Sequence, residues 1–488
     1  MKTQRLVKEI VFLLAVISIA VSCAVNPVTG KRQLMLMSEA QEVQMGAEYD
    51  PQVIATFGEY TDKQTLSFLQ AKTDALGLIS HRPKLKYHVK ILDSPVVNAF
   101  AVPGGYIYLT RGILAQFNNE AELIGVLGHE MGHITARHSA SQQSRQTLGT
   151  LLLIGGMIAS EEFASYAQYA MQGMQLLFLK FSRDNEREAD KLGVAYSSQI
   201  GYDAGKMADF FQVLKKMSMP DEQGGVPTFL STHPDPADRY NSVRQDAMRW
   251  QDSLDLDSYM VNADSYLRMI DGIVYGEDPR QGFVEGNNFY HPEMKFKFSF
   301  PAGWKFENMP SQVNIAPADG KALIVFTFAE GSSLDVAAST TLQKLELKPQ
   351  ESFRTTVNDM PAVMTLSEQT YQDQATGQQQ SNMIMSCFID YDNDYYVFHG
   401  VTAKPDYNTY KELFMSGMGS FSVLTDPLKL NKKPVRILVK SVQQTGTLAE
   451  AFRHFGVQQD KMQELALLNN LELTDRVQPG KLIKITGY

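Results

Sequence analysis

The stretch Leu123–His138, "LIGVLGHEMGHITARH", constrains the fold of this chain more than any other. Leu123, Val126, Leu127 and Ile134 fall on one helical stripe, and Asn119 with Glu122 three residues on resembles a capping box that starts the helix. That helix must carry His129, Glu130 and His133. Residues four apart share a helix face, so His129 and His133 aim their rings at one point. Glu130 is turned about 100° from His129 and stands beside that point. Two histidines satisfied within a core would fit the same spacing, so the rest of the chain decides.

The pattern is that of H-E-x-x-H zinc hydrolases, in which the glutamate takes a proton from a zinc-bound water. A catalytic zinc takes three protein ligands and leaves one position open. A close downstream histidine of the H-E-x-x-H-x-x-G-x-x-H type is excluded, because Ala136 and Ser139 occupy the glycine and histidine positions. His138, five residues past His133, is turned about 140° off the ligand face and is expected at the surface. A second helix, "FSRDNEREADKLG", offers carboxylates instead. Glu186 and Asp190 share a face, whereas Glu188 lies about 200° from Glu186. Glu186 as ligand, with Asp190 accepting from a ligand histidine, is chemically coherent. A solvated acidic face is the alternative.

"HEMGH" followed by "SRDNEREAD" resembles the M48 family of zinc metallopeptidases, and "NPVTGKRQL", "NAFAVPGGYIYLTRGIL" and "STHPDPADR" are similar to segments around that pair in exported bacterial members. The likeness covers about residues 25–250. It implies a gluzincin-type fold, with an active-site helix, a second ligand helix and a small sheet whose edge strand binds peptide. Carried over, the resemblance makes His129, His133 and Glu186 ligands of one Zn2+ per chain, Glu130 the general base and Asp190 a supporting residue. It places Asn98, Ala99, Phe100, Ala101 and Val102 along the substrate cleft, where an ordinary hairpin is the alternative. His233 then either fills the open zinc position at rest or helps stabilise the oxyanion, and Arg239 either steadies that region or caps a loop.

With 488 residues, 44% hydrophobic and 20% charged, the chain is long enough for two to four globular domains, and its net charge of −9 argues against nucleic acid. Lys2, Arg5 and Lys8 precede an apolar run from Ile10 to Val21, so residues 1–22 read as a signal peptide. Small residues before Cys23 resemble a bacterial lipoprotein cleavage box, with Ala20 where leucine is commoner. A lipidated Cys23 anchors the protein at the envelope, periplasm-facing, with the outer membrane favoured over the inner; plain secretion is the alternative. Cys387, the second of two cysteines, is expected as a buried small hydrophobe. The apolar residues 148–160 read as a core or lid segment, with membrane contact as the alternative.

The expected class is α+β. A mostly helical peptidase domain with one small sheet spans 23–280, and "MKFKFSFPAGWKFE", "ALIVFTFAE" and "YYVFHGVTA" mark a β-rich accessory domain at 281–426. Residues 434–488 resemble a LysM module through "GTLAEAF", "FGV", "LNNL" and "VQPGKLIKI", which implies a βααβ unit and a partner of the peptidoglycan glycan type. The expected function is an exported, membrane-anchored zinc endopeptidase acting on envelope or misfolded proteins. An envelope chaperone or wall-binding scaffold with a largely closed zinc site is the alternative.

Overall fold

The computed structural model describes residues 23–144, 181–217, 228–233, 239–254, 256–372 and 379–488. Residues 1–22, read above as a signal peptide, and the apolar segment 148–160 lie outside them.

Strands β1 (Cys23–Val25) and β2 (Arg32–Leu34) pair as a small antiparallel hairpin, where the sequence reads as an extended leader. The reason is local: Asn26 Oδ1 accepts from the backbone N–H groups of Val28 and Thr29, which bends the chain back. Helix α1 (Glu39–Phe57) starts at Ser38 with a full capping box to Gln41, and α2 (Lys63–Ile79) follows from the Asp62 cap. Strand β3 (His88–Leu92) then runs parallel to β5 (Tyr106–Thr110), and β5 pairs antiparallel with β4 (Ala99–Val102). The sheet order is β3-β5-β4, which leaves β4 at an edge. The hairpin turns at Gly104 and Gly105, whose φ values of 86° and 99° suit glycine.

After the short α3 (Arg111–Gln116), helix α4 (Glu120–Thr135) carries the histidine pair, and it is buried along its whole length. Asn119 Oδ1 caps Glu122 N–H as the sequence suggests, but Glu122 sends its carboxylate to Asn118 N–H and Asn119 Nδ2. Helix α5 (Arg183–Gln199) packs across α4, followed by α6 (Lys206–Met217), α7 (Thr228–Thr232), α8 (Arg239–Ser253) and α9 (Ala263–Met269). Glycines set the α4–α5 distance. A Cβ on Gly193 would lie 2.9 Å from His129 N, one on Gly128 3.0 Å from Gly193 O, and one on Gly132 3.1 Å from Ala189 Cα. Only bare backbone lets the two helices approach closely enough for the side chains of one to meet those of the other.

The β-rich part is antiparallel throughout. Strands β6 (Phe283–Glu285), β7 (Asn288–His291) and β8 (Phe296–Ser299) form a four-stranded sheet that a late strand completes. Strands β9 (Lys305–Asn308), β10 (Gln312–Ala316), β11 (Ala322–Phe328), β12 (Pro349–Val357), β13 (Met360–Gln372), β14 (Gln379–Tyr391) and β15 (Asp394–Ala403) form a seven-stranded sheet in the order β12-β13-β14-β15-β11-β10-β9. Helix α10 (Leu334–Lys344) lies between β11 and β12 in sequence, and α11 (Tyr407–Gly419) precedes β16 (Ser422–Val423), the fourth strand of the smaller sheet. Phe289, Phe296, Phe298, Phe326, Phe398 and Phe414 share one core, and Cys387 is buried there as a free thiol.

After α12 (Pro427–Leu430), the last unit runs β17 (Arg436–Ser441), β18 (Gly446–Thr447), α13 (Leu448–His454), α14 (Met462–Leu468), β19 (Arg476–Val477) and β20 (Leu482–Gly487), with β17 antiparallel to β20. Its apolar residues Ile437, Phe452, Leu465 and Ile485 belong to the same core as Leu127 and Met131 of α4. Gly272 N–H donates to Ile437 O at 2.8 Å, and Ile437 N–H donates to Ile273 O at 2.9 Å. Lys484, fully buried, donates from Nζ to the carbonyls of Ala115, Gln116 and Phe117 at 2.9, 3.2 and 3.0 Å. Those carbonyls lie at the C-terminal end of α3, where a helix leaves acceptors unpaired and favours a cation. Lys484→Met removes all three donors. The expected result is a loss of about 2–4 kcal/mol of stability, read as a lower melting temperature of the full chain. Unchanged melting would mean that this contact does not hold the last unit on α3.

Candidate metal centre and active site

Four side chains from three elements converge. His129 and His133 come from α4, Glu186 from α5, and His233 follows α7. All four are buried, and one donor atom from each lies within 4.8 Å of the others. His129 Nε2 is 3.1 Å from His133 Nε2, 3.3 Å from His233 Nδ1 and 3.5 Å from Glu186 Oε2. Glu186 Oε1 is 3.4 Å from His133 Nε2 and 3.1 Å from His233 Nδ1. Donors held about 2.0–2.1 Å from one tetrahedral cation stand about 3.3 Å apart, so this set fits a metal ion. Two bare imidazole nitrogens that close repel each other, and a cation between them removes the conflict.

The orientation of the donors is enforced from behind. His129 Nδ1 lies 2.9 Å from Asp190 Oδ1, and donating that N–H leaves Nε2 bare for a metal. Asp190 is itself gripped by Arg239, with Nε to Oδ2 at 2.8 Å and Nη2 to Oδ1 at 2.7 Å. The Arg239 guanidinium also lies 3.9 Å from the Phe211 ring centroid. Arg239 is 2% exposed and is thus an internal clamp on Asp190, not a loop cap. Phe181 stacks on His133 with centroids 4.1 Å apart, and Phe229 stacks on His233 at 4.6 Å.

Charge states follow from burial and neighbours. Burial opposes the charge of Glu186, but His233, His129 and His133 overcome it and hold that carboxyl well below its usual range. Burial likewise opposes Asp190, and Arg239 and His129 bring it below its usual range. Burial pushes His133 well down, which keeps it neutral. A charged carboxylate and a neutral imidazole are the forms that bind a metal. Glu130 differs: burial raises its carboxyl, against the pull of His233 and His129. Neither Glu130 oxygen has a hydrogen-bond partner among the described residues. A fully buried carboxyl without a hydrogen-bond partner, beside four residues that could hold a metal, has an oxygen free to accept a proton.

The residues singled out in the sequence meet as follows. His129, His133, Glu186, Glu130, Asp190, His233 and Arg239 come together in one buried site. Asn98, Ala99, Phe100, Ala101 and Val102 are buried at or beside the edge strand β4. Asn98 Oδ1 is 3.5 Å from Thr232 Oγ1, and Phe229 N–H donates to Val97 O at 3.1 Å, so the start of β4 holds the segment that carries His233. His138 is a correction. It is 4% exposed rather than at the surface, because α4 ends at Thr135 and the chain turns before reaching it. The stacking phenylalanines were not found from the sequence, and no local pattern marks them. The spaced glycines Gly128, Gly132 and Gly193 were a readable signal of a close helix crossing.

A cluster of two helix-borne histidines, a carboxylate from a crossing helix and an unpartnered glutamate beside them defines a metallopeptidase site. Residues 67–247 match the family model of Peptidase family M48. It is 29% identical over 219 residues to the beta-barrel assembly-enhancing protease of Yersinia pestis, covering 43% of this chain and 45% of that protein. The corresponding protease of Escherichia coli (strain K12) is 27% identical over 223 residues, 43% of this chain and 45% of that one. The mitochondrial metalloendopeptidase OMA1 of Arabidopsis thaliana is 32% identical over 155 residues, 32% of this chain and 30% of that one. The chain thus spans less than half the length of these relatives.

Proposed function

We propose that this chain is an exported, lipid-anchored, zinc-dependent endopeptidase that cleaves envelope or misfolded proteins. The observation that carries it is the convergence of His129, His133 and Glu186 donor atoms beside the unpartnered carboxyl of Glu130. Bound zinc supplies Lewis-acid chemistry, acidifying water and polarising a carbonyl. His129, His133 and Glu186 hold it, with Asp190 and Arg239 fixing His129 from behind. Glu130 takes the proton of the attacking water at one carboxylate oxygen and delivers it to the leaving amine. The edge strand β4 suits a substrate that adds as a further strand, read through its backbone more than its side chains. That selectivity suits unfolded chains, and the envelope setting rests on the signal-like residues 1–22 and Cys23. Among the described residues no helix is long and apolar enough to cross a membrane. The antiparallel pair of β17 and β20, with α13 and α14 between them in sequence, supports the LysM-like reading, with a peptidoglycan-type glycan as its partner.

The purified protein is expected to hold about one zinc per chain and to cleave casein. A protein that binds no zinc, or binds it and cleaves nothing, would refute this reading.

His233 favours a closed resting state. Its Nδ1 enters the donor cluster while its Nε2 stands 3.6 Å from Glu130 Oε1, so the ring lies between the base and the ligands. Helix α7, which leads into His233, also engages Val97 O, a backbone acceptor beside the edge strand, through Phe229 N–H. A resting ring in that place excludes the attacking water until substrate draws the loop away. His233→Ala is therefore expected to raise basal cleavage of an unfolded substrate severalfold, with zinc content little changed. Oxyanion stabilisation by His233 predicts the opposite sign, so a fall in basal rate would replace the plug with that role.

A further inference from the structure

His133 is held by a hydrogen-bonded chain of its own, apart from the Asp190–Arg239 clamp on His129. Helix α4 ends at Thr135, Ala136 caps it, and Arg137 adopts φ 58°, a left-handed conformation that non-glycine residues rarely take. Arg137 is fixed there by an ion pair from Nε to Glu42 and by Nη2 donating to Met37 O at 2.8 Å. The turn swings His138 back over the end of its own helix. His138 Nδ1 then lies 3.0 Å from His133 Nδ1, and its Nε2 lies 3.2 Å from Glu188 Oε2. His138 is buried, and Glu188 reaches it from α5, two residues along from Glu186 and so on another face of the helix.

Proton counting gives this chain a direction. His133 turns Nε2 toward Glu186 and His129, so as a donor to a metal it must keep that nitrogen bare and carry its proton on Nδ1. That N–H donates to His138 Nδ1, which must be bare to accept it. His138 then carries its proton on Nε2 and donates it to the Glu188 carboxylate. No other assignment of two neutral rings satisfies both contacts while leaving His133 Nε2 free.

We propose that Glu188 and His138 form a relay that fixes the tautomer and ring plane of His133 and so holds it as a metal ligand. They are positioning residues, because neither reaches the donor cluster. Asp190 does the same for His129 in a single hydrogen bond; at His133 the carboxylate acts through an interposed imidazole. The proposal rests on the metallopeptidase reading of the cluster.

The test is zinc affinity of the full-length chain by competition with a chromophoric chelator, with thermal melting recorded alongside. Wild type is measured first, and failure to bind zinc would overturn the metal reading itself, and the relay with it. Given zinc binding, His138→Ala is expected to weaken affinity roughly 10- to 100-fold, and millimolar imidazole to restore part of the loss. Glu188→Gln keeps an acceptor oxygen and is expected to stay near wild type, while Glu188→Ala weakens binding roughly tenfold. Unchanged affinity in His138→Ala overturns the relay. So does a loss that imidazole does not restore and that tracks a fallen melting temperature, because His138 would then serve the fold alone.

Discussion

Glu130→Gln is expected to keep its metal and to lose peptide hydrolysis by roughly a hundredfold to ten-thousandfold, the scale of a lost general base. The substitution is close to isosteric and removes no member of the donor cluster, which is His129, His133, Glu186 and His233. It also breaks no hydrogen bond among the described residues, since both Glu130 oxygens are unpartnered there. A structural role would show as lost stability, and none is expected. What disappears is a basic oxygen able to take a proton. Zinc content by atomic absorption, melting temperature and casein cleavage, measured on one preparation, separate the three effects. Undiminished cleavage would assign the activity to another base or to a contaminant.

The parts of this site that were legible in the sequence are those that helical periodicity dictates. His129 and His133 had to share a face, and so had Glu186 and Asp190, because each pair is four residues apart on a continuous helix. The same rule failed for His138, because it holds only while the helix continues, and α4 stops at Thr135. A left-handed turn at Arg137 depends on Glu42, 95 residues earlier, and local sequence does not announce it. Arg239 was legible as a residue near the site but not as the bidentate partner of Asp190, since its contact partner comes from another helix. The hairpin over Asn98–Thr110 was readable because two glycines sit where only positive φ closes the turn. The seating of the last unit was not. Its apolar residues need a partner surface, but nothing in their spacing says that it is the core around α4, or that Lys484 feeds three carbonyls there. The segment at 148–160, read as core or lid with membrane contact as the alternative, falls outside the described residues.

Glu186→Ala is expected to leave the protein nearly free of zinc after dialysis. Glu186 is the one carboxylate of the donor cluster, and its two oxygens lie 3.4 Å from His133 Nε2 and 3.5 Å from His129 Nε2. Removing it takes away a ligand and the negative charge that balances a divalent ion in a fully buried site. The damage is compounded by Arg239, whose Nη2 lies 3.5 Å from Glu186 Oε2. With the carboxylate gone, that guanidinium still faces the imidazoles and disfavours any cation among them. Glu188→Ala is the control, because the Glu188 carboxylate is turned to His138 on another face of the same helix. A tenfold weaker site is still filled at stoichiometric zinc, so this variant keeps its metal through the dialysis that empties Glu186→Ala. Equal zinc in the two variants would refute the assignment of the ligand face on α5, and with it the choice of Glu186 over its neighbour two residues on.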